Sequence, residues 1–390
     1  MKVLHVISSL ASKLGGTVEL VRTLSAALLG QGCSVTIVSL DEDRDISTLP
    51  RGISHVALGR PRLNIRYSFS LRLLDWLSCN ARAFDVVIVH GIWQFASLAA
   101  LIRLPALGVP YVIYAHGMLT DHSLFWIKTK IPKKLFYWAF VERHTLANAA
   151  AVVFTSEWEL LHSRRAAKAT KLRGVVIRNG LAAAPRLESQ EPEQFCPQVS
   201  QGDPYFLCLG RLDPVKGLDI ALRSLASIEF PRVRLVIAGT GEPGYEQHLR
   251  TLVSGLGISH RVDFVGHVQG TRKWALVRNA HALMAPSHHE NFGIAIVEAL
   301  SVGCPVLTTR NVAIWQEIER FQAGLIFGAD VNECGGAIRN LLQLDPKEYL
   351  RYRDNALSCF DHEFSIEVTA RALLHLFGTF RNTQSDTKRP

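Results

Sequence analysis

Short apolar runs, each followed by a helix-like stretch, recur along almost the whole chain and restart once after a polar break. That alternation fits repeated βα units and parallel sheets, whose strands read as unbroken Val/Ile/Leu runs because both faces are covered. In the first half the strand candidates are Val3–Ile7, Ser34–Ser39, Val86–His90, Tyr111–Ala115, Ala151–Phe154 and Val175–Ile177. Gly32 sits where a helix C-cap belongs. Residues 183–204 are polar, rich in Pro and Glu, and carry no period, so they read as a linker. Beyond them the pattern resumes with Tyr205–Leu209, Arg234–Ala238, Val262–Val265, Ala282–Ala285 and Val306–Leu307. The expected layout is an α/β domain at 1–182, the linker, and a second α/β domain at 205–363. Val368, Leu373, Leu374, Leu376 and Phe377 give 364–382 a helical pattern, read as a last helix crossing back to the first domain. Residues 383–390 read as a disordered tail. No repeat of solenoid period stands out.

Composition narrows the class. A chain of 390 residues with 48% hydrophobic content can bury two or three cores. Seven cysteines stand singly at 33, 79, 196, 208, 304, 334 and 359, which suits reduced thiols in the cytosol better than a disulfide framework. The stretch from Met1 to Ser9 is too short and soon too polar for an export signal, and no run approaches the roughly 18 apolar residues of a membrane span. The expectation is a cytoplasmic protein, free or resting on a membrane surface. Residues 1–182 hold 22 Lys and Arg against 11 Asp and Glu, whereas the remainder holds 21 against 23. The first half therefore carries all the excess positive charge, as a face toward something anionic would.

The densest chemistry lies between Pro286 and Leu307. Glu290 and Glu298 stand eight residues apart around the Phe292-Gly293 turn, at the start of an apolar helix. Open α/β sheets bind ligands at such strand ends, and backbone N–H groups near Gly293 are placed to receive phosphate. A phosphate seat between two acceptors for sugar hydroxyls is what a nucleotide-sugar site needs. Arg211 and Lys216 follow the strand Tyr205–Leu209, five residues apart around a Leu-Asp-Pro turn. A guanidinium fork with a point charge can neutralise a diphosphate without a metal.

Taken in order, these segments resemble the retaining glycosyltransferase family 4, nucleotide-sugar enzymes of the GT-B fold. The resemblance rests on Gly15, Gly16, Thr17, Val18 and Glu19 near the start, His116-Gly117, Asn179-Gly180, and Gly210 through Gly217. It continues through Ala238 to Gly241, Phe264 to His267, and the Glu290–Glu298 segment, covering roughly residues 1–330. It implies two Rossmann-like domains with a cleft between them, the second holding a nucleotide diphosphate sugar. By that likeness Arg211 and Lys216 bind the diphosphate and assist its departure. Glu298 accepts the ribose hydroxyls, and Glu290 stands at the sugar ring. Val265-Gly266 reads the base edge, while Gly239, Gly241, Phe292 and Gly293 line the donor. Gly16 faces the diphosphate and His116 contacts the transferred sugar. The family transfers with retention and needs no metal. Asn291 departs from the Gly commonly found after the first Glu. Gly117 to Thr120 with the helix beyond resembles bacterial transferases that build exopolysaccharide, O-antigen or capsule on polyprenyl-pyrophosphate-linked acceptors.

Several features compete with this reading. Gly239-Thr240-Gly241-Glu242-Pro243-Gly244 matches G-x-G-x-x-G, with Asp263 about 20 residues on, which would suit an NAD-dependent Rossmann enzyme. It falls in the second βα unit after the linker, and Glu242 places negative charge where pyrophosphate would lie. A non-catalytic two-lobed sugar-binding protein is the other alternative. His281, His288 and His289 follow no zinc pattern, and Asp41-Glu42-Asp43 reads as an acidic loop rather than a D-x-D metal motif. Between His122 and Arg143, Lys128, Lys130, Lys133, Lys134 and Arg143 interleave with Phe125, Trp126, Phe136, Tyr137 and Trp138. That composition suits an interfacial helix on anionic lipid. No nucleic-acid-binding module appears.

Overall fold

The computed structural model describes residues 1–11, 16–42, 49–59, 67–119, 135–167, 171–185 and 203–386, with side chains as far as 380. They form two compact units: residues 1–180 with the last helix, and Leu181–Ser365.

The first unit runs β1 (Lys2–Val6), α1 (Gly16–Gly30), β2 (Ser34–Ser39), β3 (Ser54–Ala57), α2 (Leu71–Asn80), β4 (Val86–His90), α3 (Phe95–Leu107) and β5 (Tyr111–Tyr114). A π-helical turn, Trp138–Glu142, then leads into α4 (Arg143–Asn148), followed by β6 (Ala151–Phe154), α5 (Glu157–Ala167) and β7 (Gly174–Val176). The seven strands pair in parallel in the order β3-β2-β1-β4-β5-β6-β7. Strand alternation divides the core in two. Leu4, Val6, Val87, Val89 and Ile113 face α2, α3 and α4, while Val3, Val86, Ile88, Val112 and Tyr114 face α1 and the last helix.

The second unit runs β8 (Tyr205–Leu209), α6 (Leu218–Ala226), β9 (Arg234–Ala238), α7 (Pro243–Gly255), β10 (Val262–Gly266), α8 (Gly270–Asn279) and β11 (Ala282–Ala285). It closes with α9 (Ile294–Leu300), β12 (Val306–Thr309), α10 (Trp315–Phe321), β13 (Gly324–Phe327), α11 (Val331–Leu342) and α12 (Pro346–Cys359). Its parallel sheet has the order β10-β9-β8-β11-β12-β13.

In each unit the strand order reverses once, at β1/β4 and at β8/β11. Such switch points leave the loops at the carboxyl strand ends splayed apart, the usual place for a ligand in an open sheet.

Five of the strands read from the sequence shift at an end by one or two residues, and the unit break and the last helix also differ from the sequence reading. The break between units falls at Gly180, because Leu181 donates its N–H to Phe364 and pairs with Ser365, and Ala184 packs on the second core. The start of the expected linker thus belongs to the second unit, and 186–202 lie outside the described residues. The last helix, α13 (Ile366–Asp386), begins two residues late and runs past 382, since no Pro or Gly interrupts it there. It buries Ile366, Ala370, Leu373 and Phe377 beside Leu24 and Leu28 of α1, in the first unit. The edge strands β3 and β13 had no counterpart in the sequence reading.

Candidate active site

The donor-side residues gather at the β8/β11 switch point. Gly217, left-handed at φ 64°, has no room for a side chain, since a Cβ would meet the Pro286 carbonyl oxygen at 2.1 Å. His288 donates its N–H to the Val215 carbonyl at 2.8 Å, so the loop after β8 is knitted to the loop after β11. The Lys216 ammonium then reaches the Glu290 carboxylate as an ion pair. Glu290 itself is fixed by its backbone, which pairs with Val312 in the loop after β12. Arg211 lies closer to solvent, 73% exposed, with Asp213 at 3.1 Å.

Glu298 projects from the second turn of α9 and meets Lys273 of α8 at 2.7 Å. Lys273 also lies 4.5 Å from the Trp274 ring centre. Lys273 carries no signal in the sequence beyond being a cation on a helix with a mixed face. Each of the two carboxylates is therefore ion-paired with a partly buried lysine.

Other predicted donor residues take structural parts. Phe292 turns into the core, 6% exposed and edge-on to Phe364, so only its backbone is left for a ligand. Gly293 caps α9 at φ 81°. A Cβ on Gly239 would lie 1.7 Å from the Gly210 carbonyl oxygen, and one on Gly241 2.1 Å from that of Leu212. These glycines let the loops after β8 and β9 pair, with Leu212 donating to the Thr240 carbonyl at 3.0 Å. The third glycine of that motif, Gly244, has open space where a dinucleotide fold packs helix on strand. Asp263 is taken by Arg234 in a forked pair at 2.7–3.0 Å. The dinucleotide reading fails on both counts. The Val265 carbonyl accepts from Arg272 at 3.3 Å, and that of Gly266 from Gly239 at 2.8 Å. The Asn291 side-chain oxygen is buried and without a partner among the described residues.

In the first unit, Gly16 begins α1, while Gly15 lies outside the described residues. His116 stands just past β5 in a left-handed conformation, φ 50°, and Gly117 follows at 75°. A non-glycine residue held there costs about 1–3 kcal/mol and marks a constrained site. Glu159 of α5 supplies the constraint: one carboxylate oxygen accepts from the Gly117 N–H at 2.7 Å, the other from Thr155. The His116 ring is hydrogen-bonded inward to His90 at 3.2 Å, and His90 to His5 at 2.9 Å. Burial lowers the pKa of His116 to about 4 and of His5 to about 3, and holds His90 well below its ordinary value. All three rings are neutral at physiological pH. A polar residue inside an apolar strand run was the available signal for His5 and His90.

Two further acids are buried beside this edge. Asp41 accepts from Ser9 and from the Leu10 N–H, both at 2.6 Å, so it braces the loop after β1 instead of forming an open acidic loop. Asp43 lies outside the described residues. Glu142, presented by the π-turn, accepts from the Trp93 N–H at 2.6 Å and the Ser97 hydroxyl at 2.7 Å. Its other oxygen is buried without a partner among the described residues, and burial raises its pKa to about 7.

Among the described residues no three His, Cys, Asp or Glu side chains are grouped to hold a metal ion, and His281 stacks on Tyr349 at 4.5 Å. No helix there is long and apolar enough to cross a membrane. Of the basic-aromatic stretch, 122–134 lie outside the described residues. The remainder exposes Leu135, Phe136 and Phe140, the two Phe rings 4.5 Å apart, above the inward-packed Tyr137 and Trp138.

Residues 189–358 match the family model described as "Glycosyl transferases group 1", and residues 15–180 match the "Glycosyl transferase 4-like domain". A GDP-mannose:cellobiosyl-diphosphopolyprenol alpha-mannosyltransferase of Xanthomonas oryzae pv. oryzae is 30% identical over 320 residues, 79% of this chain and 78% of that protein. A D-inositol 3-phosphate glycosyltransferase of Mycobacterium leprae is 32% identical over 171 residues, 43% of this chain and 39% of that protein. Among solved structures, Anabaena HepE in complex with UDP superposes with a TM-score of 0.72 at 18% identity, covering 97% of this chain and all of that one. A glycosyltransferase from Rickettsia africae gives 0.73 at 16% identity, covering 97% and 98%.

Proposed function

Because the chain belongs to glycosyltransferase family 4 and has the GT-B architecture of two parallel α/β domains, we propose a specific transfer. It moves a hexose-type sugar, with retention and without a metal, from a nucleotide diphosphate sugar to a saccharide or lipid-linked saccharide acceptor. The Lys216–Glu290 ion pair carries this reading: it joins the cation suited to a diphosphate to the acid suited to a sugar, at the switch point of the second sheet.

In this reading the donor diphosphate draws Lys216 and Arg211 to itself, releasing the Glu290 carboxylate to the sugar hydroxyls. Glu298 accepts the ribose hydroxyls and His116 contacts the transferred sugar. The acceptor hydroxyl forms its bond to the anomeric carbon on the face from which the nucleotide departs. The carbon–oxygen bond to the diphosphate breaks with its electron pair going to that oxygen, and the hydroxyl proton passes to the leaving phosphate. Arg211 and Lys216 stabilise the charge that grows there, each by about 2–4 kcal/mol.

The Xanthomonas relative is named for GDP-mannose and a diphosphopolyprenol acceptor. That supports a lipid-linked acceptor, as in bacterial surface-polysaccharide assembly, and makes GDP-mannose the first donor to try. The basic excess of the first half and the exposed Leu135, Phe136 and Phe140 support peripheral attachment to the cytoplasmic face of an anionic membrane. A thermal-shift screen of nucleotide sugars tests the donor reading. A rise in Tm with one of them is expected, and none with any would reject it.

A further inference from the structure

His5, His90 and His116 climb the first sheet as a staircase. His5 on β1 lies opposite Ile88, and His90 stands two residues beyond Ile88 on the same face of β4. His90 in turn lies opposite Tyr114, and His116 stands two residues beyond that. Each imidazole thus reaches diagonally to the next strand, a span that long or aromatic side chains bridge. The His5 and His90 rings are stacked with centres 5.2 Å apart, and those of His90 and His116 5.5 Å apart.

The order of the bonded atoms restricts the protons. His5 Nδ1 meets His90 Nε2, and His90 Nδ1 meets His116 Nε2. A neutral imidazole has one N–H, so His90 donates to one neighbour and accepts from the other. Only two arrangements satisfy both bonds: every ring protonated at Nδ1, or every ring at Nε2. His5 Nε2 is buried and has no partner among the described residues. An Nε2 arrangement would strand an N–H there, whereas the Nδ1 arrangement strands only a lone pair. Orphaned buried N–H groups are the rarer of the two.

We propose that His5 and His90 are positioning residues that fix the tautomer of His116, so that its Nδ1 carries the proton and donates to a ligand hydroxyl. This rests on the assignment of His116 to the transferred sugar. A histidine outside such a chain presents a mixture of tautomers, in which only part of the population can donate from Nδ1. The buried chain makes His116 a dedicated donor without placing a charge at the site.

Long-range ¹H–¹⁵N NMR of the ¹⁵N-histidine-labelled full chain reads the tautomers directly. The expected result is the Nδ1–H form at His116, converting toward the Nε2–H form in His90→Phe. His90→Asn should keep the Nδ1–H form, because its amide can still donate to His116 Nε2. In His90→Phe, kcat for sugar transfer should fall about tenfold, the scale of one lost hydrogen bond, with nucleotide binding unchanged. An Nε2–H form at His116 in the parent protein, or an unchanged tautomer in His90→Phe, overturns the proposal. The parent spectrum decides alone if His90→Phe does not fold. Should His116→Ala transfer sugar normally while the Nδ1–H pattern holds, the sugar assignment falls and the tautomer device stands.

Discussion

The Lys273 ammonium lies 2.7 Å from the Glu298 carboxylate, so the acid assigned to the ribose is ion-paired with a cation of the neighbouring helix. A nucleotide binding here must share or displace that lysine. Glu298→Ala is expected to weaken nucleoside diphosphate binding about 10–100-fold, the effect of losing a hydrogen bond to a charged group, with kcat little changed. Calorimetry with a nucleoside diphosphate and with pyrophosphate separates the causes. Equal weakening of both would move Glu298 from the ribose to the phosphates.

Loop glycines give a second test. Gly239→Ala and Gly241→Ala each push a Cβ into a carbonyl oxygen, at 1.7 Å and 2.1 Å, so both should lower Tm and donor affinity together. Gly244→Ala meets nothing within 4 Å on α7 and should be neutral or stabilising by up to about 1 kcal/mol. A Gly244 variant that loses nucleotide binding would revive the dinucleotide motif.

The pH dependence of stability has two opposed parts. His5 and His116, depressed by burial to about 3 and about 4, bind fewer protons folded than unfolded. Their contribution is complete above about pH 6.5 and is lost as pH falls toward 4. Glu142, raised by burial to about 7, binds more protons folded, so its contribution is complete below about 4.5 and is lost as pH rises through 7. Urea unfolding across pH 5–8 should show Glu142→Gln gaining on the parent as pH rises, and His5→Leu gaining as it falls. Parallel curves would exclude both shifts.

Much of this was legible in the sequence, and the exceptions share a cause. Ser34–Ser39, Val86–His90, Ala151–Phe154, Tyr205–Leu209, Arg234–Ala238 and Ala282–Ala285 begin and end as read, because strands buried on both faces must be continuously apolar or nearly so. The edge strands Ser54–Ala57 and Gly324–Phe327 escaped: the first is half-exposed and mixed in character, and the second opens on a glycine with its two middle residues only partly buried. Glu290 and Lys216 were placed by motif, whereas Lys273, Glu159 and the His5–His90 pair depend on which strands and helices become neighbours. Strand order 1-4-5 brings residues 5, 90 and 116 together, and no local pattern announces it. Phe292 illustrates the converse: motif position suggested a ligand contact, and packing claimed the side chain.

Membrane attachment should depend on both charge and the exposed rings. The parent protein is expected to sediment with anionic vesicles at low salt and release at 1 M, where the Debye length falls to about 3 Å. Phe136→Ser with Phe140→Ser should weaken that binding without lowering Tm, since both side chains are about two-thirds exposed. Equal failure to bind anionic and neutral vesicles would favour a soluble acceptor.

Retaining, metal-independent transfer from a nucleotide sugar, driven by Arg211 and Lys216, is open to a single assay. Its most direct test incubates the full chain with labelled nucleotide sugars, GDP-mannose among them, and polyprenyl diphosphate-linked saccharides in EDTA. The new anomeric centre is then read by NMR. Label is expected in the lipid-linked product with the donor's configuration kept, and the activation barrier should rise by about 2–4 kcal/mol in Arg211→Ala and in Lys216→Ala. Inverted configuration, transfer only after a divalent cation is restored, or near-parental rates in either variant would contradict it.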